Sequence, residues 1–211
     1  MTTTTFTTMR QTIPRLMTIL ALAGAALLAG CADTKTQQNT LFDFGPVGAP
    51  QAVGAAPLPA LVVTDATGSS ALDNERMFYR LMYADPMQAR TYANSRWSAT
   101  PLQMITQRLR SRIAQGGVKV VAPTDASNGI PLLRVEVDDF THSFDSASQS
   151  YGQVVLRASL YQGHTLVDQK TFSRKTDAGS ADAAGGTRAL AASTDAAAAD
   201  ILAWLATLPR R

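Results

Sequence analysis

The sequence predicts an α+β domain, a mostly antiparallel sheet with two helices packed on one face. Three observations lead there. Runs of alternating apolar and polar residues succeed one another between Leu133 and Thr176. Apolar residues at helical spacing fill 102–113 and 190–208. Turn-forming residues punctuate the chain between these runs, the pattern of strands followed by covering helices.

The N-terminus precedes any domain. Residues 1–15 are polar and carry Arg10 and Arg15 without an acid, and residues 16–28 are almost wholly Leu, Ala, Ile, Met and Gly. A positive start, a short apolar run and small residues define a secretory signal peptide, assigned here to residues 1–30. The apolar run of 13 residues falls short of the roughly 20 that span a bilayer core. It ends in Leu28-Ala29-Gly30-Cys31, and Cys31 is the sole cysteine of 211 residues. Leu-Ala-Gly-Cys is the lipobox pattern, in which the thiol is acylated and the chain is cut before it. Each buried acyl methylene contributes about 0.8 kcal/mol, so two or three chains anchor stably where one does not. Ala32, not an acid, follows Cys31. That favours the outer membrane and its periplasmic face over inner-membrane retention.

Removing the signal leaves 181 residues with 17 basic and 16 acidic side chains, a net charge of +1. The near balance argues against a nucleic-acid partner. A single domain is expected, with no disulfide possible within it.

Residues 31–39 read as a lipidated tether and 40–208 as the domain. Leu41–Gly45 is a first strand, and residues 45–60 form a Pro/Gly/Ala loop with Pro46, Pro50, Pro57 and Pro59. Leu61–Thr64 and Met77–Tyr83 are further strands, and Asp85-Pro86 is a turn. Thr100-Pro101-Leu102-Gln103 opens a helix with a capping box and Pro at the first position. Leu102, Ile105, Leu109 and Ile113 make its apolar stripe, Arg108, Arg110 and Arg112 a solvated face or else a lipid-headgroup or partner-binding patch, and Gly116-Gly117 its end. A short strand at Val118–Val121 follows. Leu133–Val137, Val154–Leu160 and Thr165–Thr176 form a meander, with a bulge at Asp138-Asp139 and a turn at Gln162-Gly163-His164. Residues 177–187 are small and flexible. Leu190, Thr194, Ala197, Ala198, Ile201, Leu205 and Leu208 share a face of a closing helix, with Trp204 beside it and Pro209 stopping it.

Chemistry-bearing constellations are scarce. The two histidines, His142 and His164, have no ligand cluster around them, so no metal site is expected. Asp138 and Asp139 are adjacent strand residues that point to opposite faces. No nucleophile elbow, phosphate loop or dinucleotide motif occurs. The expectation is a protein that is not an enzyme, has no catalytic residues and has no cofactor beyond covalent lipid on Cys31. Tyr79, Tyr83, Tyr92 and Trp97 cluster within 19 residues, either as packing or as a partner-binding surface.

The order of these features resembles the ABC-type transport auxiliary lipoprotein family, of the paraquat-inducible protein C type. It comprises the lipobox, the Leu41-Phe42-Asp43-Phe44-Gly45-Pro46 strand, an aromatic strand, Tyr92…Trp97…Pro101-Leu102, a meander and an Ala-rich closing helix. The resemblance implies an accessory or docking subunit of an MCE-type ABC lipid transport system between the inner and outer membranes. Its partners would be an MCE-domain protein and the ABC permease and ATPase, and it would act as a homo-oligomer. The competing reading is an envelope-assembly lipoprotein that scaffolds or activates a cell-wall synthase or an outer-membrane assembly machine.

Overall fold

In the computed structural model, which describes residues 39–49, 58–125 and 129–209, one alternating run becomes the strand around which the sheet is built. The signal peptide, Cys31, nearly all of the tether and the prolines Pro50 and Pro57 lie outside the described residues. In chain order the elements are β1 (Thr40–Phe42), β2 (Ala60–Val63), β3 (Thr67–Gly68), β4 (Arg76–Leu81), β5 (Asp85–Trp97) and α1 (Pro101–Gln115). There follow β6 (Lys119–Val121), β7 (Leu132–Phe144), β8 (Ser150–Gln162), β9 (Thr165–Asp177) and α2 (Ala183–Thr207).

The expected mostly antiparallel sheet is not what forms. The nine strands make one mixed sheet in which five pairings are parallel and three antiparallel. β7 explains the mixture. One of its edges pairs antiparallel with β8 over its whole length. The other is filled in series by three short parallel strands. Val62 and Val63 of β2 face Leu132 and Leu133, Thr67 and Gly68 of β3 face Glu136 and Val137, and Tyr79 to Leu81 of β4 face His142 to Phe144. Strands this short carry too little alternation to announce a direction. Their direction follows from β7.

The meander itself forms as expected from β7, β8 and β9. The register shift between Val137 and Asp139 is the bulge anticipated at Asp138-Asp139. It resets the alternation so that Phe140, His142 and Phe144 stay on the buried face with Leu133, Val135 and Val137. Asp138 instead pairs with Arg157 across the strands.

Two segments depart from expectation. Asp85-Pro86 is not the turn; Met82–Ala84 is, closed by the Ala84 N–H to the Leu81 carbonyl at 3.1 Å. β5 then runs on for 13 residues. Its neighbours are β4 and, only at Ser95–Trp97, β1, so Pro86 sits on a free edge where its missing N–H costs nothing. Residues 183–187 are helical rather than flexible. Asp182 caps α2, accepting from the Gly185 N–H at 2.7 Å.

Both helices bury their apolar faces in the core shared with the sheet: Ile105, Leu109 and Ile113 from α1, and Leu190, Ala197, Ala198, Ile201 and Leu205 from α2. Among the described residues α2 is the one helix long and apolar enough to cross a membrane, and most of its apolar stretch is buried inside the domain. Small residues bring it close to the sheet. At Gly152 of β8 a Cβ would lie 2.5 Å from the Leu190 nitrogen and 2.7 Å from the Ala189 carbonyl carbon. At Gly186 a Cβ would lie 2.2 Å from His142 Nδ1. Ser193 fastens the contact, donating to the Gly152 carbonyl at 2.9 Å.

Gly152→Ala is therefore expected to destabilise by about 1–3 kcal/mol, because backbone atoms cannot swing aside. Gly163→Ala, at φ +59 with nothing within 4 Å, should cost about 1–2 kcal/mol from backbone strain alone. Urea unfolding of Gly152→Ala and Gly152→Val checks this; a Gly152→Val loss no larger than that of Gly163→Ala would contradict the close approach.

Candidate functional site

The capping box that starts α1 is formed as read: the Gln103 N–H donates to Thr100 Oγ1, and the Thr100 N–H to Gln103 Oε1, each at 3.4 Å. That start sets the helix phase, and the phase places the arginines. They do not form a solvated face. Arg108 and Arg112, four residues apart, share a side of the helix and converge on Asp195 of α2. Arg112 donates to both carboxylate oxygens at 2.8 and 2.6 Å, and Arg108 Nε lies 3.2 Å from Oδ1. Arg108 is only 5% exposed; it also donates to the Phe44 carbonyl and lies over the Phe44 ring. Arg112 reaches the Gly48 carbonyl at 3.3 Å. Asp195 holds the Arg112 guanidinium more firmly protonated than usual through this hydrogen bond. One carboxylate thus clasps both helices and the loop after β1. Arg110 turns elsewhere, donating to the Val63 carbonyl at 2.7 Å and to Asp65 at 3.0 Å.

The four aromatics divide. Trp97 is 2% exposed and meets Phe44 edge-on at 6.1 Å and Phe140 at 5.8 Å between ring centroids. Tyr79 and Tyr92 pack at 4.7 Å, and Tyr79 meets Phe144 at 5.7 Å. Tyr92 Oη and His142 Nδ1 share a hydrogen bond of 2.8 Å. Burial pushes the Tyr92 phenol up, with Tyr79 adding to the shift, and pushes the His142 imidazolium down to about 4. Both groups are therefore neutral at ordinary pH, and the His142 ring is sealed from water. Tyr83 alone points out, 54% exposed at the turn between β4 and β5.

Concave surfaces are open and mixed in character. One, about 650 Å³, lies beside β3 and the start of α1, with Asp65, Thr67, Ser70, Gln103 and Arg110 on its walls. A second, about 500 Å³, runs between the β1 segment and α2, past Leu41, Phe42, Thr187 and Arg188. No group of three or more His, Cys, Asp or Glu suited to a metal occurs among the described residues.

Sequence reasoning missed the Asp195 clasp and the exposed methionines near Tyr83. A usable signal existed for the first: Asp195 and Asp200 are isolated acids in an Ala-rich helix. An acid on or near a buried face calls for a cation opposite.

The fold defines a small mixed-sheet domain with two helices on its core, an architecture with crystallographic precedent. Protein XCC0632 from Xanthomonas campestris, a DUF330 protein, superposes with a TM-score of 0.68 at 17% identity, over 78% of this chain and 93% of that one. An uncharacterized protein superposes at 0.59 with 13% identity, over 80% of this chain and 99% of that one. At such identities the likeness establishes the fold. No curated protein matches. Residues 42–202 match the family model described as ABC-type transport auxiliary lipoprotein component, and the chain belongs to that family. It is thereby a membrane-anchored envelope lipoprotein with an accessory role in ABC transport.

Asp195→Ala should cost about 3–5 kcal/mol, because it leaves the buried Arg108 charge uncompensated. Asp65→Ala, at an 85% exposed carboxylate, should stay within about 1 kcal/mol. Equal losses in chemical denaturation would refute the difference in burial. A second expectation concerns pH. The folded chain keeps His142 neutral down to about 4, whereas the unfolded ring takes up its proton near 6.5. Stability should then fall as pH drops from 6.5 to 4, by a sum on the order of 3 kcal/mol. His142→Asn should flatten urea midpoints across that window; an unchanged slope would count against the buried neutral ring.

Proposed function

We propose that this lipoprotein is the accessory, docking subunit of an MCE-type ABC lipid transport system, held by lipid on Cys31 at the periplasmic face of the outer membrane. The observation that carries the reading is the family match over residues 42–202, joined to the Leu28-Ala29-Gly30-Cys31 pattern. The chain has no phosphate-binding loop motif, so the energy-coupling step belongs to its partners. Its part is to bind an MCE-domain protein and, through it, the permease and ATPase, as a homo-oligomer. It works without catalytic residues and without a cofactor beyond the acyl lipid. The exposed strand edges of β5 and β9 suit association by strand addition.

Crosslinking the acylated protein in membranes and purifying it under denaturing conditions tests the partner. An MCE-domain protein should be recovered. Recovery of cell-wall synthases with no MCE protein would overturn this reading in favour of an envelope-assembly scaffold. For the anchor, Cys31→Ser should leave the domain folded and release it from the membrane fraction; wild-type association of that variant would rule out lipidation there.

A further inference from the structure

Exposed apolar side chains and unpaired cations coincide in one place, the hairpin of β4 and β5. β4 is in register with β7 up to Leu81 against Phe144, the last residue of β7, so the turn beyond Leu81 projects past the end of that strand. The turn carries Met82 and Tyr83, 39% and 54% exposed, and Met87 follows at the start of β5, 86% exposed. These are three of the six large apolar side chains exposed among the described residues, and they lie within six positions of one another. Between Arg76 and Trp97 the chain has four arginines (Arg76, Arg80, Arg90 and Arg96) against one acid, Asp85.

Of the seven other described arginines, five (Arg108, Arg110, Arg112, Arg157 and Arg174) form an ion pair, while Arg134 lies over the Tyr161 ring and Arg188 donates to Ser180. Among the described residues none of the four hairpin arginines forms an ion pair. Arg76 and Arg96 are even direct register partners, and like charges opposite one another destabilise a strand pair. Arg80 braces the tip by donating to the Pro86 and Met87 carbonyls at 3.1 and 3.3 Å through one nitrogen. Its other nitrogens have no partner among the described residues.

We propose that this hairpin tip is a membrane-surface contact, with Met82, Tyr83 and Met87 entering the headgroup region of an anionic phospholipid layer and Arg80 and Arg90 meeting its phosphates. Tyrosine with an apolar body and a polar end suits the bilayer interface. Arginine keeps its charge at the headgroups while its stem lies along apolar surface. Each basic residue near an anionic leaflet adds about 1 kcal/mol of attraction. Three side chains at a hairpin tip are too few for a second copy of the chain, since a stable interface buries about 800 Å² on each partner. The inference stands apart from the transport reading and from acylation of Cys31; it uses only the described domain.

The test places a reporter at the tip. The two native tryptophans, Trp97 and Trp204, are 2% and 5% exposed, so a third at Tyr83→Trp supplies the surface signal. The full chain carrying Tyr83→Trp is reconstituted in vesicles of phosphatidylglycerol or phosphatidylcholine with brominated acyl chains, and the unsubstituted chain serves as reference. Expected are a blue shift and bromine quenching of the added emission in phosphatidylglycerol, both weaker in phosphatidylcholine and weakened further by Arg90→Gln. Met82→Ser with Met87→Ser should abolish both. Emission that stays red and unquenched in both lipids overturns the proposal. So does a blue shift without bromine quenching, which would put the tip against protein.

Discussion

Three separate strands line one edge of β7, and most of the domain follows from that arrangement. Because β2, β3 and β4 all run parallel to β7 and occupy it in order, the chain from Ala60 to Leu81 must travel along β7 from its start to its end. The hairpin of β4 and β5 is thereby delivered to the end of the sheet. The return along β5 brings the chain back beside β1 at Ser95–Trp97, which is where Thr100 can cap α1. The opposite edge of β7 holds β8 in an antiparallel ladder interrupted by one bulge. A shift of one residue in β7 would turn its whole apolar set to solvent, so the bulge at Val137–Asp139 is a point of control for the core.

The second constraint is the closeness of α2 to the sheet. Alanine and glycine give a helix little apolar area per residue, so α2 compensates by proximity: Gly152 and Gly186 remove the Cβ atoms that would hold it off. Polar links then fix its position, with Trp204 donating to Asp168 at 2.8 Å and Arg174 pairing with Asp200 at its C-terminal half. Asp195 binds it to α1 on the other flank. Buried ion pairs of this sort add little net stability over apolar packing but are costly to break. They specify how the two helices lie together.

These constraints bear on function through what they leave uncovered. Trp97 lies in the core, Tyr92 packs against it and Tyr79 against Tyr92 and Phe144, and the helix arginines are spent on Asp195, Val63 and Asp65. The surface left over includes a hairpin whose apolar side chains are exposed and whose arginines have no acid partner among the described residues, together with free edges on β5 and β9.

Much of this was legible in the linear chain. The capping box and 3.6-residue stripe placed α1 within a residue, because both are local. The meander and its bulge were legible because long strands with one buried face must alternate. The signal pattern around Cys31 and the order of motifs pointed to the family that the match over 42–202 establishes. Strand direction was not legible, since β2, β3 and β4 hold six residues or fewer and take their orientation from β7. β5 was hidden because its first seven residues, Asp85–Thr91, are all exposed and have no reason to alternate. The arginines of α1 were misplaced because a charge reads as solvated until a partner 83 residues away in sequence, Asp195, is folded against it. Local periodicity and caps are written in neighbouring residues; pairing partners and buried charge are decided only when distant segments meet.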